Sequence, residues 1–346
     1  MTMTTTLPLT QTVPRFVGGG RIERWDRPVP TPGGGELLLA VRANALCGTD
    51  RAQLSAGSAV TPGHEAAGEV VSAGSGTATA PGTAGVVYLM DYCGACRSCT
   101  AGATNRCGTK RAEMGFTHDG GLGRYELVHE TNFFPVGADL SAHEATLLLD
   151  VMGTTAHALQ RARAIQPRIE SVAIAGAGPV GLGMVAMTRL LLGLDVPVFI
   201  ADVVPYRPAL ADRLGARAVQ LPDDSLTGAL ADAGLPGGVD VAIDTSGRGA
   251  GRRMLLDAVD HGGVLVCVGH GEGLELQVSA DLIAPERAVL GSEYFRYDGL
   301  ASNLELLRAN RSFLGQIITH RFRIDELEEA YRVFLGGESG KVVVTQ

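Results

Sequence analysis

Cys93, Cys96, Cys99 and Cys107 stand in the pattern C-x2-C-x2-C-x7-C, so four of the chain's six cysteines fall within one fifteen-residue stretch. Thiolates at this spacing suit a tetrahedral zinc, and a shell closed by four sulfurs leaves no position for a substrate. Four cysteines can also hold an iron–sulfur cluster, and thiols can pair as disulfides, which a reducing compartment disfavours. A quieter set lies upstream. Cys47 opens the run CGTD, and His64 and Glu65 lie side by side in GHEAAGE. Singly, a cysteine is usually a small buried hydrophobe and a histidine a satisfied core residue. Together, one sulfur, one imidazole and a later carboxylate, with a place left for water or substrate, make the donor set of a catalytic zinc. Asp150, in LLLDVMGTTAHAL, is the candidate carboxylate.

A third signal is GAGPVG at 176–181. The motif alone is weak, but here it follows the apolar run SVAIAGAG and opens the helical-period run PVGLGMVAMTRLLLGL, the context a dinucleotide site requires. Gly176 permits the tight turn, Gly178 lets a pyrophosphate approach the backbone, and Gly181 lets helix and strand pack closely. The helix start at Pro179 and Val180 then offers its N-terminal dipole to phosphate. Asp202 closes the next strand, PVFIAD, about twenty residues past the last glycine, where an acid reads ribose hydroxyls. Such an acid repels a 2′-phosphate, which predicts NAD over NADP, with Arg207 close by.

The elements that must position these residues divide near residue 150. Before it, short β-like runs (ELLLAVRANA, AAGEVVSAG, GVVYLM, RYELV) alternate with glycine and proline turns. SAGSGTATAPGTAG reads as a flexible hairpin or surface turn. After it, strands and helices alternate, which predicts a doubly wound parallel sheet. A chain of 346 residues favours two domains. The expectation is an α/β protein with a mainly-β domain over 1–150, a dinucleotide domain over 151–289, and a tail from 290 to 346 returning to the first. Formal charge is −8 and no Lys/Arg-rich run occurs, which argues against nucleic acid as a partner. The first residues, MTMTTTLPLTQTVP, lack the basic and apolar regions of a secretory leader. VGLGMVAMTRLLLGL is interrupted by Arg189 and too short to span a bilayer. A cytoplasmic protein without a membrane partner is expected.

CGTD, GHEAAGE, the four-cysteine loop, Asp150 with a histidine seven residues later, GAGPVG and Asp202 occur in one order across nearly the whole chain. In this the sequence resembles the zinc-dependent medium-chain alcohol dehydrogenases, above all the polyol and sugar dehydrogenases acting on sorbitol, threonine or glucose. The resemblance implies a GroES-like catalytic domain beside a Rossmann domain. It implies two zincs per chain: a catalytic one on Cys47, His64 and Asp150, with Glu65 binding directly or through water, and a structural one on the four clustered cysteines. Asp50 matches the carboxylate that orients the ligand histidine, Thr49 the hydroxyl that bonds the substrate alcohol, Arg207 a cofactor contact and Glu113 a polar substrate contact. The implied reaction passes hydride between a secondary alcohol (a polyol, sugar or cyclitol) and NAD, with zinc stabilising the alkoxide. The implied partners are a small alcohol or ketone and further copies of the chain, as homodimer or homotetramer.

The sequence departs from the family at several points. Ala52 replaces a proton-passing histidine, Thr83 an aspartate of the usual Gly-Asp-Arg-Val turn, and Asp150 a longer glutamate. GSEYFRY resembles the Gly-Ser-Phe-Arg-Tyr stretch of sorbitol dehydrogenases with two extra residues. Two other readings stay open. A zinc-free NADPH quinone or enoyl reductase of the same fold would lack both metal sets. A non-catalytic NAD- or zinc-binding protein would need only the four-cysteine loop.

Overall fold

The computed structural model describes residues 7–346. The stretch read above as no secretory leader includes residues 1–6, which lie outside the described residues. The chain divides into two units. Unit 1 holds residues up to Leu149 together with Arg321–Arg332 and Val342–Gln346, and unit 2 holds Asp150–His320 and Val333–Lys341.

In unit 1, β1 (Thr10–Gly18) and β2 (Arg21–Pro28) form an antiparallel hairpin. Next come β3 (Glu36–Ala45), β4 (Ala66–Ala73), β5 (Ala84–Val87), β6 (Met90–Asp91), β7 (Ala112–Glu113), β8 (Tyr125–His129) and β9 (Phe133–Pro135). β3 is the axis. It pairs antiparallel with β4, with β8, and with the last strand of the chain through Val343↔Ala45. The sheet runs on through β5 to β9. Alternate residues of a strand face opposite sides. So Leu37, Leu39 and Val41 join Val70, Val87, Val128 and Phe133 in one core, while Leu38 and Ala40 pack with Tyr125 on the other face. β6 and β7 pair as Met90↔Glu113 and Asp91↔Ala112, which closes a stem beneath the cysteine loop. The stretch read as a flexible hairpin or surface turn joins β4 to β5, which pair antiparallel, and it is tied down: Ala78 and Thr79 donate backbone N–H bonds to Glu130 Oε1 at 2.9 and 2.6 Å.

In unit 2, the strands are β10 (Val172–Ala175), β11 (Val198–Asp202), β12 (Arg217–Gln220), β13 (Val239–Asp244), β14 (Val259–Cys267) and β15 (Ala288–Gly291). Among the described residues they make one parallel sheet in the order β12-β11-β10-β13-β14-β15. Covered on both faces, β10 and β11 are buried at every residue, as their unbroken apolar runs require. The chain winds outward from β10 to β12 and then returns to place β13 beside β10. That reversal opens a crevice at the strands' carboxyl ends, where ligands bind in such sheets. The Pro179–Leu192 helix buries Leu182, Met184, Val185 and Met187 completely. Each such side chain contributes about 1.5–3 kcal/mol.

The tail divides differently from the expectation of 290–346 returning to the first domain. Residues 290–320 stay with unit 2, and only Arg321–Arg332 and Val342–Gln346 join unit 1. The reason is pairing: Val264–Cys267 of β14 align with Ala288–Gly291, so β15 is the sixth strand of the parallel sheet. No helix of the described residues is long and apolar enough to cross a membrane.

One residue of β8 is out of keeping with its surroundings. Glu126 lies opposite Leu39, is 1% exposed, and neither carboxyl oxygen has a hydrogen-bond partner among the described residues. Burial, with the Asp119 charge adding to it, pushes its carboxyl well above the usual range. A group that keeps its proton in the folded chain and loses it on unfolding makes stability fall as pH rises above the unfolded carboxylate's value. Glu126→Gln should therefore match the parent in thermal midpoint near pH 4. By pH 8 it should exceed the parent by about 2 °C or more, read by differential scanning fluorimetry across that range.

Candidate metal and dinucleotide sites

Cys47 follows the end of β3, where Leu46 N–H bonds Val342 O at 2.9 Å. A turn then leads into the short helix Asp50–Ala56, with Asp50 N–H donating to Cys47 O at 3.1 Å. Asp50 is wholly buried and its side chain folds back: Oδ2 accepts from Cys47 N–H at 3.0 Å. Oδ1 faces His64 Nδ1 at 3.3 Å. This leaves the other ring nitrogen, Nε2, as the one available to a metal, the arrangement by which a carboxylate orients a ligand imidazole. His64 and Glu65 enter β4 behind Gly63, whose φ is +102°. A Cβ there would meet Leu122 N at 2.7 Å and Asn44 Oδ1 at 2.8 Å, so only glycine fits.

The ligand atoms of Cys47, His64 and Glu65 lie within 4.8 Å of one another, all three residues being buried. A thiol, an imidazole and a carboxylate so confined match the mixed donors of a zinc site. Thr49 caps the helix by position but not by side chain, and its buried Oγ1 makes no hydrogen bond among the described residues. A buried hydroxyl without a partner is costly, and a bound substrate oxygen would satisfy it. Asp150, also buried, is the first residue of unit 2 and sits in the π-helical segment Leu149–Thr154.

The four clustered cysteines carry no disulfide. Their sulfurs are separated by 3.9 Å (Cys93–Cys99), 3.6 Å (Cys96–Cys99) and 3.9 Å (Cys96–Cys107). A tetrahedron with zinc–sulfur arms of about 2.3 Å has edges of about 3.8 Å, so the cage has the size of a single zinc. An iron–sulfur cluster, with several irons between the thiolates, would hold them further apart. The Thr109 hydroxyl, helped by the Ala95 and Cys96 backbone N–H groups, lowers Cys93 to about 5, while burial pushes Cys99 up to about 12. Crowded thiols cannot all ionise unaided, and a dication relieves that repulsion. The stem is locked by Arg111, which binds Asp91 through Nε at 3.0 Å and adds Tyr92 O and Thr131 Oγ1.

In unit 2 each glycine of GAGPVG has a distinct task. Gly176 takes φ +93°, with Ser246 N 3.0 Å from where a Cβ would stand. A Cβ on Gly181 would fall 1.8 Å from Gly176 O, so the helix could not approach the strand. A Cβ on Gly178 would meet nothing within 4 Å, which leaves open space beside the N-terminus of the Pro179–Leu192 helix. Val180 and Gly181 supply the first N–H groups, because Pro179 has none. Asp202, at the end of β11, is already engaged: Oδ2 accepts from Ala177 N–H at 2.6 Å and Oδ1 from Val204 N–H at 2.8 Å. Arg207 Nη1 stands 3.4 Å from Oδ2 while its Nε donates to Gly337 O at 3.0 Å. A carboxylate has about four acceptor positions, so a ribose hydroxyl can still be accepted.

Residues 33–138 match the alcohol dehydrogenase GroES-like domain and residues 179–308 the zinc-binding dehydrogenase domain. The L-threonine 3-dehydrogenase of Shewanella sediminis (strain HAW-EB3) is 30% identical over 333 residues, covering 92% of this chain and 94% of that protein. The chain belongs to the zinc-dependent medium-chain alcohol dehydrogenase family. Among solved structures, a protein of Sinorhizobium meliloti 1021 described as a zinc-binding dehydrogenase and bound to NADP is similar with TM-score 0.84 and 28% identity, covering 97% of this chain and 99% of that one. The 2R,3R-butanediol dehydrogenase of Bacillus subtilis shares the fold with TM-score 0.84 at 23% identity, over 97% and 99% of the two chains.

Two neighbours of the candidate metal site have no sequence signal. Tyr331 Oη donates to Asp50 Oδ2 at 3.2 Å across 281 residues of chain. Burial above all, then the Asp50 charge, raises its phenol well above the ordinary value, so it remains a donor. The Phe116 ring lies 4.9 Å from that of His64. Glu113, expected as a substrate contact, is on the β7 stem with Lys110 Nζ 2.6 Å from its carboxylate. Tyr331→Phe should cost about 1–2 kcal/mol of stability, since a buried carboxylate loses a charge-assisted donor. Urea unfolding at pH 7 measures it, and a phenylalanine variant as stable as the parent would mean the bond carries no net weight.

Proposed function

We propose that this chain is an NAD- and zinc-dependent dehydrogenase interconverting a secondary alcohol, of the polyol, sugar or cyclitol class, and its ketone. The observation carrying this reading is the trio Cys47, His64 and Glu65 with Asp50 set against the imidazole. A purely structural zinc protein needs no such second set, and a zinc-free reductase needs neither. Cys47, His64, Glu65 and Asp150 would hold the catalytic zinc, and Cys93, Cys96, Cys99 and Cys107 the structural one. When bound, the catalytic ion supplies the positive charge that makes the substrate hydroxyl more acidic. NAD is the hydride acceptor.

The chain's own groups do the rest. Thr49 Oγ1 accepts the substrate's hydroxyl proton bond and places the oxygen. Asp50 holds His64 in one ring orientation through the reaction. Asp202, with its two backbone donors, reads the adenosine ribose, and Arg207 holds Asp202 rather than a 2′-phosphate. That arrangement favours NAD. With Ala52 where a histidine would pass the proton outward, the proton leaves through water. Glu113, tied to Lys110, is a weaker candidate for substrate contact than the sequence implied. A cytoplasmic homodimer or homotetramer completes the proposal.

Purified protein should contain two zincs per chain by elemental analysis, and a panel of polyols, cyclitols and L-threonine with NAD should yield NADH absorbance with at least one member. No turnover across secondary alcohols, or zinc confined to the cysteine loop, would overturn the reading. Thr49→Ala should lower kcat by about 10²-fold or more with both zincs retained. Asp202→Ser should shift the kcat/KM ratio of NAD to NADP towards NADP by about tenfold or more, because the repelling carboxylate is gone. An unchanged ratio would remove Asp202 from cofactor choice.

A further inference from the structure

His64 and Glu65 are delivered by Thr61–Gly63, a stretch with no regular structure of its own. It is held by a second irregular stretch, Asp119–Leu122, rung by rung. Gly120 N–H bonds Thr61 O at 2.8 Å, Leu122 N–H bonds Pro62 O at 3.0 Å, and Gly121 N–H bonds Gly63 O at 2.9 Å. Three rungs are backbone to backbone and do not depend on the Asp119 side chain. The fourth is different: Thr61 N–H donates to Asp119 Oδ1 at 2.7 Å. The same carboxylate is gripped by Arg27 Nη1 of β2, 2.8 Å from each oxygen.

We infer that Asp119, braced by Arg27, is a positioning residue that sets where His64 and Glu65 stand, coupling the N-terminal hairpin to the upstream metal site. This rests on the reading of Cys47, His64 and Glu65 as metal ligands. The packing leaves the loop little other freedom, because Gly63 is closed in by Leu122 and Asn44. The side chains of Arg27 and Asp119 are 41% and 44% exposed, so their ion pair as such is worth little. The weight falls on the charge-assisted bond to Thr61 N–H, and Arg27 serves to hold the carboxylate in line with it. The effect on the metal follows from geometry: the bond fixes the loop three residues before His64, one step further out than a direct partner of a metal ligand, whose removal costs about 10- to 100-fold in affinity, so the lower end of that range is expected.

The test is zinc release from the full chain to a chromophoric chelator, which resolves the two bound ions by affinity. Cys47→Ala first identifies the upstream ion. If that variant still holds two zincs, the underlying reading of the ligands fails and not this inference. Given that control, Asp119→Ala should weaken the upstream zinc by about tenfold and leave the four-cysteine zinc at parental affinity. Asp119→Asn, whose amide oxygen can still accept from Thr61 N–H, should recover most of the loss. Arg27→Met, at a partly exposed position where folding is not at stake, should weaken the upstream zinc by about two- to threefold. Parental affinity in Asp119→Ala, parallel loss of both zincs, or no recovery in Asp119→Asn would each overturn the inference. Should Asp119→Ala fail to fold, parental affinity in Arg27→Met would do the same.

Discussion

The carboxylate of Asp50 is the point on which the upstream site depends. It has no exposure to solvent, so its charge must be met from within the protein. Cys47 N–H and Tyr331 Oη meet one oxygen and the His64 ring stands at the other. Each of these partners comes from a different part of the chain: the turn after β3, the entry to β4, and a helix near the C-terminus. One buried acid thus fixes two candidate ligands in relation to each other. The helix near the C-terminus does not supply a ligand; it supplies the hydroxyl that keeps the acid in place. Phe16, edge-on to Tyr331 at 5.4 Å, holds that hydroxyl's ring.

The cysteine loop obeys the same rule by another route. Four sulfurs at tetrahedral spacing repel as thiolates, and three of the four cysteines, Cys93, Cys96 and Cys99, are only partly buried. The loop's shape therefore depends on what closes it at either end. At the tip that is a fourfold sulfur cage of zinc size. At the base it is the β6–β7 pair and the Arg111–Asp91 bond. The loop and the upstream trio differ in donor chemistry, and the division proposed between scaffold and reaction rests on that difference rather than on prominence in the sequence. A closed shell of sulfur has no position to offer, whereas sulfur, nitrogen and oxygen donors with an idle threonine hydroxyl beside them do.

Unit 2 shows how a weak motif becomes a strong one. GAGPVG is unremarkable as a string, but each glycine is required by a particular distance or angle in the turn. Asp202 is bound into that same turn through Ala177 N–H, so the acid proposed to read the cofactor also stiffens the glycine turn. A substitution at Asp202 consequently touches both selectivity and the turn. The similar protein of S. meliloti is bound to NADP, so the proposed preference for NAD rests on Asp202 and not on the fold.

Short-range chemistry was legible in the sequence. The four-cysteine loop, the glycine turn and the alternation of strand and helix are local patterns, each spanning few residues, whereas Cys47, His64 and Asp150 are far apart in sequence and are read as a candidate set from their residue types and order. What the local patterns need from neighbours is set by spacing alone. Tertiary structure decided the rest. It brought Tyr331 to Asp50 and Asp119 to Thr61, contacts whose partners lie 281 and 58 residues apart and follow no period. It also kept residues 290–320 with the parallel sheet, because Ala288–Gly291 found an open edge at β14 that no local signal announces. Ligand types are written in composition and spacing. The partners that aim those ligands are chosen by packing, which only the folded chain specifies.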